Sequence, residues 1–255
     1  MSNSLSRFYR PALIPLTLGL TLLSACSTSP DKPKVEVDPK VMQQFQSDFQ
    51  TALRRTIANN VLQDQVGTTR LRLIVNREGR AVACETLPAS PKVAQGMSGQ
   101  IPFTNRAAFD QFIEQQCSRA IFPPAPDALY DEKGQVEVVA PVGVSFSSTQ
   151  PAPWLQQNAQ RAFFRKQLLG NERVNSVGVA VASYQADAKG KTTGCLVYLI
   201  PAEVRPNDFK LDGDLQSRLN SACMKLDLSQ MPGFEPGKAQ GMFSLEYAPW
   251  TVGIQ

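Results

Sequence analysis

The chain has 255 residues, a formal net charge of +4, 42% hydrophobic and 19% charged residues, five cysteines and no histidine. That composition belongs to an ordinary globular protein, not a disordered or collagen-like one, and the charge is too low for a nucleic-acid groove reader, which concentrates Lys and Arg. The absence of histidine removes the commonest general base near neutral pH, the commonest metal ligand and every Ser-His or Cys-His nucleophile pair.

In chain order, Arg7 and Arg10 precede an apolar run over 11–25. A membrane-spanning helix needs about 20 such residues, and Pro15 and Gly19 interrupt this run further. A positive start, a short apolar stretch and small residues at its end predict a secretory signal. Leu23-Ser24-Ala25-Cys26 resembles a bacterial lipobox. The resemblance implies cleavage before Cys26, lipidation of its thiol, and a mature chain of 230 residues with net charge +2. Ser27, where an Asp would retain the protein, implies by the same pattern an outer-membrane anchor facing the periplasm. Residues 27–38 read as a polar tether of at most about 40 Å.

The remaining cysteines, Cys84, Cys117, Cys195 and Cys223, allow three disulfide connectivities. Their surroundings repeat. In the first unit, Asp38 and Pro39 start a helix over 39–62, with Val41, Met42, Phe45, Phe49, Ala52, Leu53 and Ile57 at helical spacing. A strand over 68–76, a turn at Arg77-Glu78-Gly79, and a return strand over 80–87 carrying Cys84 follow. Phe109, Phe112, Ile113, Cys117 and Ala120 mark a second helix, ended by Phe122-Pro123-Pro124, and 135–146 is the closing strand. The second unit repeats this order. Leu155, Phe163, Phe164 and Leu168 form a helix, 174–184 and 193–200 are strands joined by a turn ending at Gly190, Asp212 caps a helix with Cys223, and 239–247 closes. The turn glycines and the strand cysteines are both 111 residues apart, and the helix cysteines 106. One strand cysteine and one helix cysteine per unit predicts the pairs Cys84–Cys117 and Cys195–Cys223. The expected fold is α+β: two tandem αββαβ units, at 39–149 and 150–255, each a three-stranded antiparallel sheet packed with helices and stapled by one disulfide.

The stretch 69–84 (TRLRLIVNREGRAVAC) resembles the opening hairpin of the C-terminal domain of the TonB and TolA families. Phe109, Ile113 and 117–126 (CSRAIFPPAP) are similar to that family's helix and proline stop, and 136–146 to its last strand. The resemblance covers 42–148 well and 155–248 more weakly, since the second unit lacks the Phe-Pro-Pro-Ala-Pro element. It implies recognition of partners by β-strand addition at an open sheet edge. In place of the family's N-terminal membrane helix and long linker this chain has a lipobox and a short tether, so energy transduction is not implied.

No catalytic spacing is found among the usual motifs. Gly96-Met97-Ser98-Gly99 reads as a loop, and Asp127, Asp131 and Glu132 as a solvated acidic turn, not a cation site. Trp154 and Trp250 are expected to pack the ends of the second unit. Arg54, Arg55, Arg70, Arg72 and Arg80 offer either a basic patch or ordinary exposed faces. The candidate partner-binding residues lie on the closing strands: Glu137, Val139, Val142, Val144 and Phe146, and Phe243, Leu245 and Tyr247. Whether those edges are open or pair with each other is undecided at this level. The expected function is a non-enzymatic envelope adaptor, without metal or cofactor, binding a periplasmic or outer-membrane protein and no nucleic acid. The alternative is a structural lipoprotein that self-associates or scaffolds an envelope, secretion or pilus-like complex.

Overall fold

The computed structural model describes residues 37–61, 66–89, 105–145, 152–237 and 240–253, all within one compact unit spanning Pro33–Gln255. The signal segment, Cys26, all but the end of the tether, the 96–99 loop and Phe146 lie outside the described residues. No described helix is long and apolar enough to cross a membrane.

Helix α1 (Pro39–Asn60) begins where Asp38 accepts a hydrogen bond from the Lys40 backbone N–H at 2.8 Å, with Pro39 in the first turn. Phe49, Ala52, Leu53 and Ile57 are its buried stripe. Strands β1 (Gly67–Asn76) and β2 (Ala81–Leu87) form the hairpin, α2 (Arg106–Arg119) follows with Asn105 as its cap, and β3 (Gln135–Val144) closes the unit. The sheet order is β2-β1-β3, antiparallel throughout. Its inner face carries Leu71, Leu73, Val75, Val136, Ala140, Val142 and Val144 against Phe109, Ile113 and Cys117 of α2. Phe122, from the proline-rich stop, stacks on Phe49 with centroids 4.6 Å apart.

The second unit is built alike. Helix α3 (Ala152–Leu169) precedes β4 (Gly178–Ala186), β5 (Thr192–Ile200), α4 (Gly213–Cys223) and β6 (Gln240–Tyr247), with sheet order β5-β4-β6. Phe164 sits within 4.8 Å of Tyr184 and 5.0 Å of Phe243, ring centre to ring centre.

Both expected disulfides form, with Cα separations of 6.1 Å for Cys84–Cys117 and 5.8 Å for Cys195–Cys223. The repeat extends to individual hydrogen bonds. Gly79 donates to the Asn76 carbonyl and Gly190 to the Asp187 carbonyl, both at 3.0 Å. Each of these glycines is left-handed, with φ of 78° and 84°. Their carbonyls accept from Phe122 and Leu228, at 3.0 and 2.8 Å. An added Cβ at either glycine meets backbone, 2.4 Å from the Phe122 oxygen and 2.3 Å from the Ser229 nitrogen. Only glycine meets both the conformation and the approach.

Several boundaries differ from expectation by up to four residues, two of them for visible reasons. The strand expected from 174 starts at Gly178, because Val177 donates to the Asp208 carbonyl at 3.1 Å and Ser176 to the Lys210 carbonyl at 3.3 Å. Helix α1 stops at Asn60, two residues early, where its terminal carbonyls turn to the second unit.

Candidate functional site

Each three-stranded sheet leaves two edges, and they are treated differently. On the β2 edge, Glu114 of α2 accepts from the Thr86 backbone N–H at 2.9 Å and from its hydroxyl at 2.8 Å. On the β5 edge, Asn220 of α4 accepts from the Val197 N–H at 2.8 Å and donates to its carbonyl at 2.9 Å. Thr86 and Val197 are 111 apart, and Glu114 and Asn220 are 106 apart, so this cover is part of the repeat. Pairing edge backbone groups in this way interrupts the edge as a template for another strand at that residue. The β6 edge is held at one end, where Arg165 donates to the Glu246 carbonyl at 2.9 Å. The β3 edge differs. Asp131 closes its start at Gln135, but among the described residues no hydrogen bond from outside the sheet reaches the backbone of Val136–Val144. Pro141 lacks an N–H and marks the strand as an edge, leaving 136–140 as the continuous stretch. The two sheets are separate, so their edges do not pair with each other.

The residues expected on the docking edges divide by strand alternation. Glu137 is exposed and Val139 half-buried on the outer face. Val142, Val144, Phe243, Leu245 and Tyr247 are buried in the two cores. Those five side chains, expected on docking edges, face the cores and not the surface, as the two-residue period of the strand dictates.

The outer sheet faces contrast. Across the first, Arg72 bridges Glu137 at 2.8 Å and Glu85 at 3.3 Å. The hydrogen bond from Arg72, reinforced by its charge, holds the Glu137 carboxyl below its ordinary value. Across the second, Leu196, Tyr198, Ile200 and Met242 are exposed beside Val181.

The five arginines do not form one patch. Arg55 turns to the second unit and meets Glu203 at 3.1 Å and Glu246 at 3.2 Å. Arg70 donates to the Pro88 carbonyl, Arg72 is paired, and Arg54 and Arg80 are simply exposed. Of the acidic turn, Asp127 pairs with Arg77 at 2.6 Å, Asp131 accepts from Lys133 and Gln135 N–H groups, and Glu132 is exposed. Both tryptophans face the first unit: Trp154 packs on its core, and the Trp250 indole donates to the Ala120 carbonyl at 3.2 Å.

No protein-family model, curated protein or solved structure matches this chain.

The junction between the units holds the residues that motif reading missed. Buried Asn158 donates to the carbonyls of Ala58 (2.8 Å) and Val61 (3.2 Å), satisfying the end of α1. Arg205, 8% exposed, donates to the carbonyls of Phe122 (3.2 Å) and Arg77 (2.8 Å) and pairs with Asp208. Ile121, Val177, Ala202 and Ala248 bury a small apolar cluster nearby. Between the C-terminal ends of α1 and α2, helix α3 and strand β6 lies a cavity of about 30 Å³, bordered by Arg119, Arg161, Arg165, Ser244 and Glu246. Burial, with the charges of Arg119 and Arg161 adding, pushes Arg165 down to about 10 despite Glu246, and burial also lowers Arg161.

Proposed function

We propose that this chain is a non-enzymatic cell-envelope lipoprotein, anchored through Cys26 to the outer membrane, whose first unit binds a periplasmic or outer-membrane protein by strand addition at β3. The observation that carries the reading is the asymmetry of the edges. Glu114, Asn220 and Arg165, all from helices, each reach the backbone of one residue on the other three edges, whereas no helix side chain among the described residues reaches 136–140 of β3, which offers its backbone groups to an incoming strand. Strand addition takes its affinity from such groups and its specificity from neighbouring side chains, here Glu137 and Val139. The TonB/TolA-like pattern of 69–84 and 117–126 is consistent with this mode.

A photoreactive amino acid at position 139 tests the reading in cells. The expected result is one defined crosslinked protein from position 139, none from position 83 on the covered β2 edge, and loss of the product when Glu137 is changed to Lys. Equal products from both positions overturn it.

The apolar outer face of the second sheet favours a second reading, a scaffold that self-associates through Leu196, Tyr198, Ile200 and Met242. Exposed apolar patches of this kind mark interaction surfaces. Sedimentation of the wild type and of Leu196→Asp separates the two: a wild-type dimer that Leu196→Asp abolishes supports the scaffold, and a monomer in both removes it.

A further inference from the structure

The cavity at the junction has a charge problem. Arg119, Arg161 and Arg165 border it with Glu246 as the one carboxylate, an excess of two positive charges. Glu246 is already shared with Arg55 at 3.2 Å. Arg161 and Arg165 are positioned by protein contacts: Arg161 donates to the Asn59 carbonyl and Asn158 side chain, and Arg165 to the Glu246 carbonyl. Each guanidinium has five N–H donors, so most remain unused. Arg119 has no hydrogen-bond or ion-pair partner among the described residues. Two arginines on one helix, spaced four apart, share a face, and the third comes from the other unit. Like charges gathered in a partly dry setting are unfavourable unless negative charge answers them, and Glu246 with the carbonyl ends of α1 and α2 answers three arginines only in part.

We propose that the cavity between the two units binds a phosphoryl group, as free phosphate or as a phosphate monoester, on Arg119, Arg161 and Arg165. A phosphate dianion matches the excess charge, and arginine forks match phosphate oxygens bidentately. The cavity has room for about two water-sized groups, so two phosphate oxygens enter and the rest of the group stays at the mouth. The Ser244 hydroxyl, also on the cavity wall, adds a neutral donor. Because its walls come from α1, α2, α3 and β6, the site exists only when both units are docked, and its occupant ties them together.

The test is thermal unfolding of the full chain in inorganic phosphate against chloride at equal ionic strength, with sn-glycerol 3-phosphate as a second arm. A ligand at ten times its Kd is expected to raise the wild-type Tm by about 3–6 °C. Arg119→Gln, at an exposed unpaired residue, leaves the fold intact and is expected to lose most of the rise. Arg165→Lys keeps the charge but not the fork and is expected to keep only part. A larger rise with the glycerol ester identifies a headgroup-type monoester, and an equal or larger rise with inorganic phosphate identifies the free ion; either supports the site. A Tm unchanged by both ligands, or raised equally in wild type and Arg119→Gln, overturns it.

Discussion

Arg205 has no counterpart in the first unit's repeat pattern, yet like Asn158 it bonds two backbone carbonyls of the other unit. Its guanidinium serves two carbonyls of the first unit, at Phe122 and Arg77, and one carboxylate of its own loop, Asp208. Removing a buried, multiply bonded cation strands its partners, so Arg205→Ala is expected to cost about 3 kcal/mol. In a chain of this size that lowers Tm by about 6–12 °C. Arg77→Ala, which removes an exposed pair with Asp127 and a guanidinium stacked 4.2 Å over the Tyr130 ring, is expected to cost about 1 kcal/mol in a denaturant titration, well short of Arg205→Ala. Glu137 supplies a residue-scale check by pH. Its folded pKa is depressed, so the Arg72 contact stabilises above the ordinary carboxylate value and is lost as pH falls through the depressed one. Arg72→Gln is expected to move the Glu137 titration, followed by NMR, back up toward that ordinary value. An unmoved titration would assign the shift to another group.

At the scale of elements, each αββαβ unit depends on a helix drawn over one sheet edge. The disulfide fixes the helix on β2 or β5, and Glu114 or Asn220 then bonds the backbone of one edge residue, Thr86 or Val197. Closing loops with sequence separations of 33 and 28 residues stabilises each unit by about 3.5 kcal/mol. The double change Cys84→Ala with Cys117→Ala is expected to show that loss in equilibrium unfolding. Asn220→Ala keeps the disulfide but uncovers Val197, whose amide is expected to exchange with solvent about tenfold faster, the equivalent of one hydrogen bond of roughly 1.4 kcal/mol. Much of this level was readable in the sequence. Asn76 and Asp187, Gly79 and Gly190, and Cys84 and Cys195 share a single spacing because each trio performs one turn and one staple. Alternation was readable too, but choosing candidate contacts by strand alone mixed the inward Val142, Val144, Phe243, Leu245 and Tyr247 with the outward Glu137 and Val139. The junction was not readable. Asn158, Arg161 and Arg205 bond backbone carbonyls of the other unit, and a carbonyl leaves no mark in a sequence.

For the molecule as a whole, the internal repeat gives two sheets of one topology with different outer faces. The first carries a Glu85–Arg72–Glu137 ladder and an open β3 edge; the second carries Leu196, Tyr198, Ile200 and Met242 on its outer face. Arg205, Asn158 and Trp250 tie the two units together, and a tied base would lower the ordering cost of the proposed docking at β3. The most direct test of edge docking is hydrogen exchange across the full chain, purified and then in its native envelope. Slower exchange at 135–140 in the envelope, with 82–87 on the covered β2 edge unchanged, is the predicted result. Unchanged exchange at 135–140 with new protection at 196–200 would contradict it and assign binding to the apolar face of the second sheet.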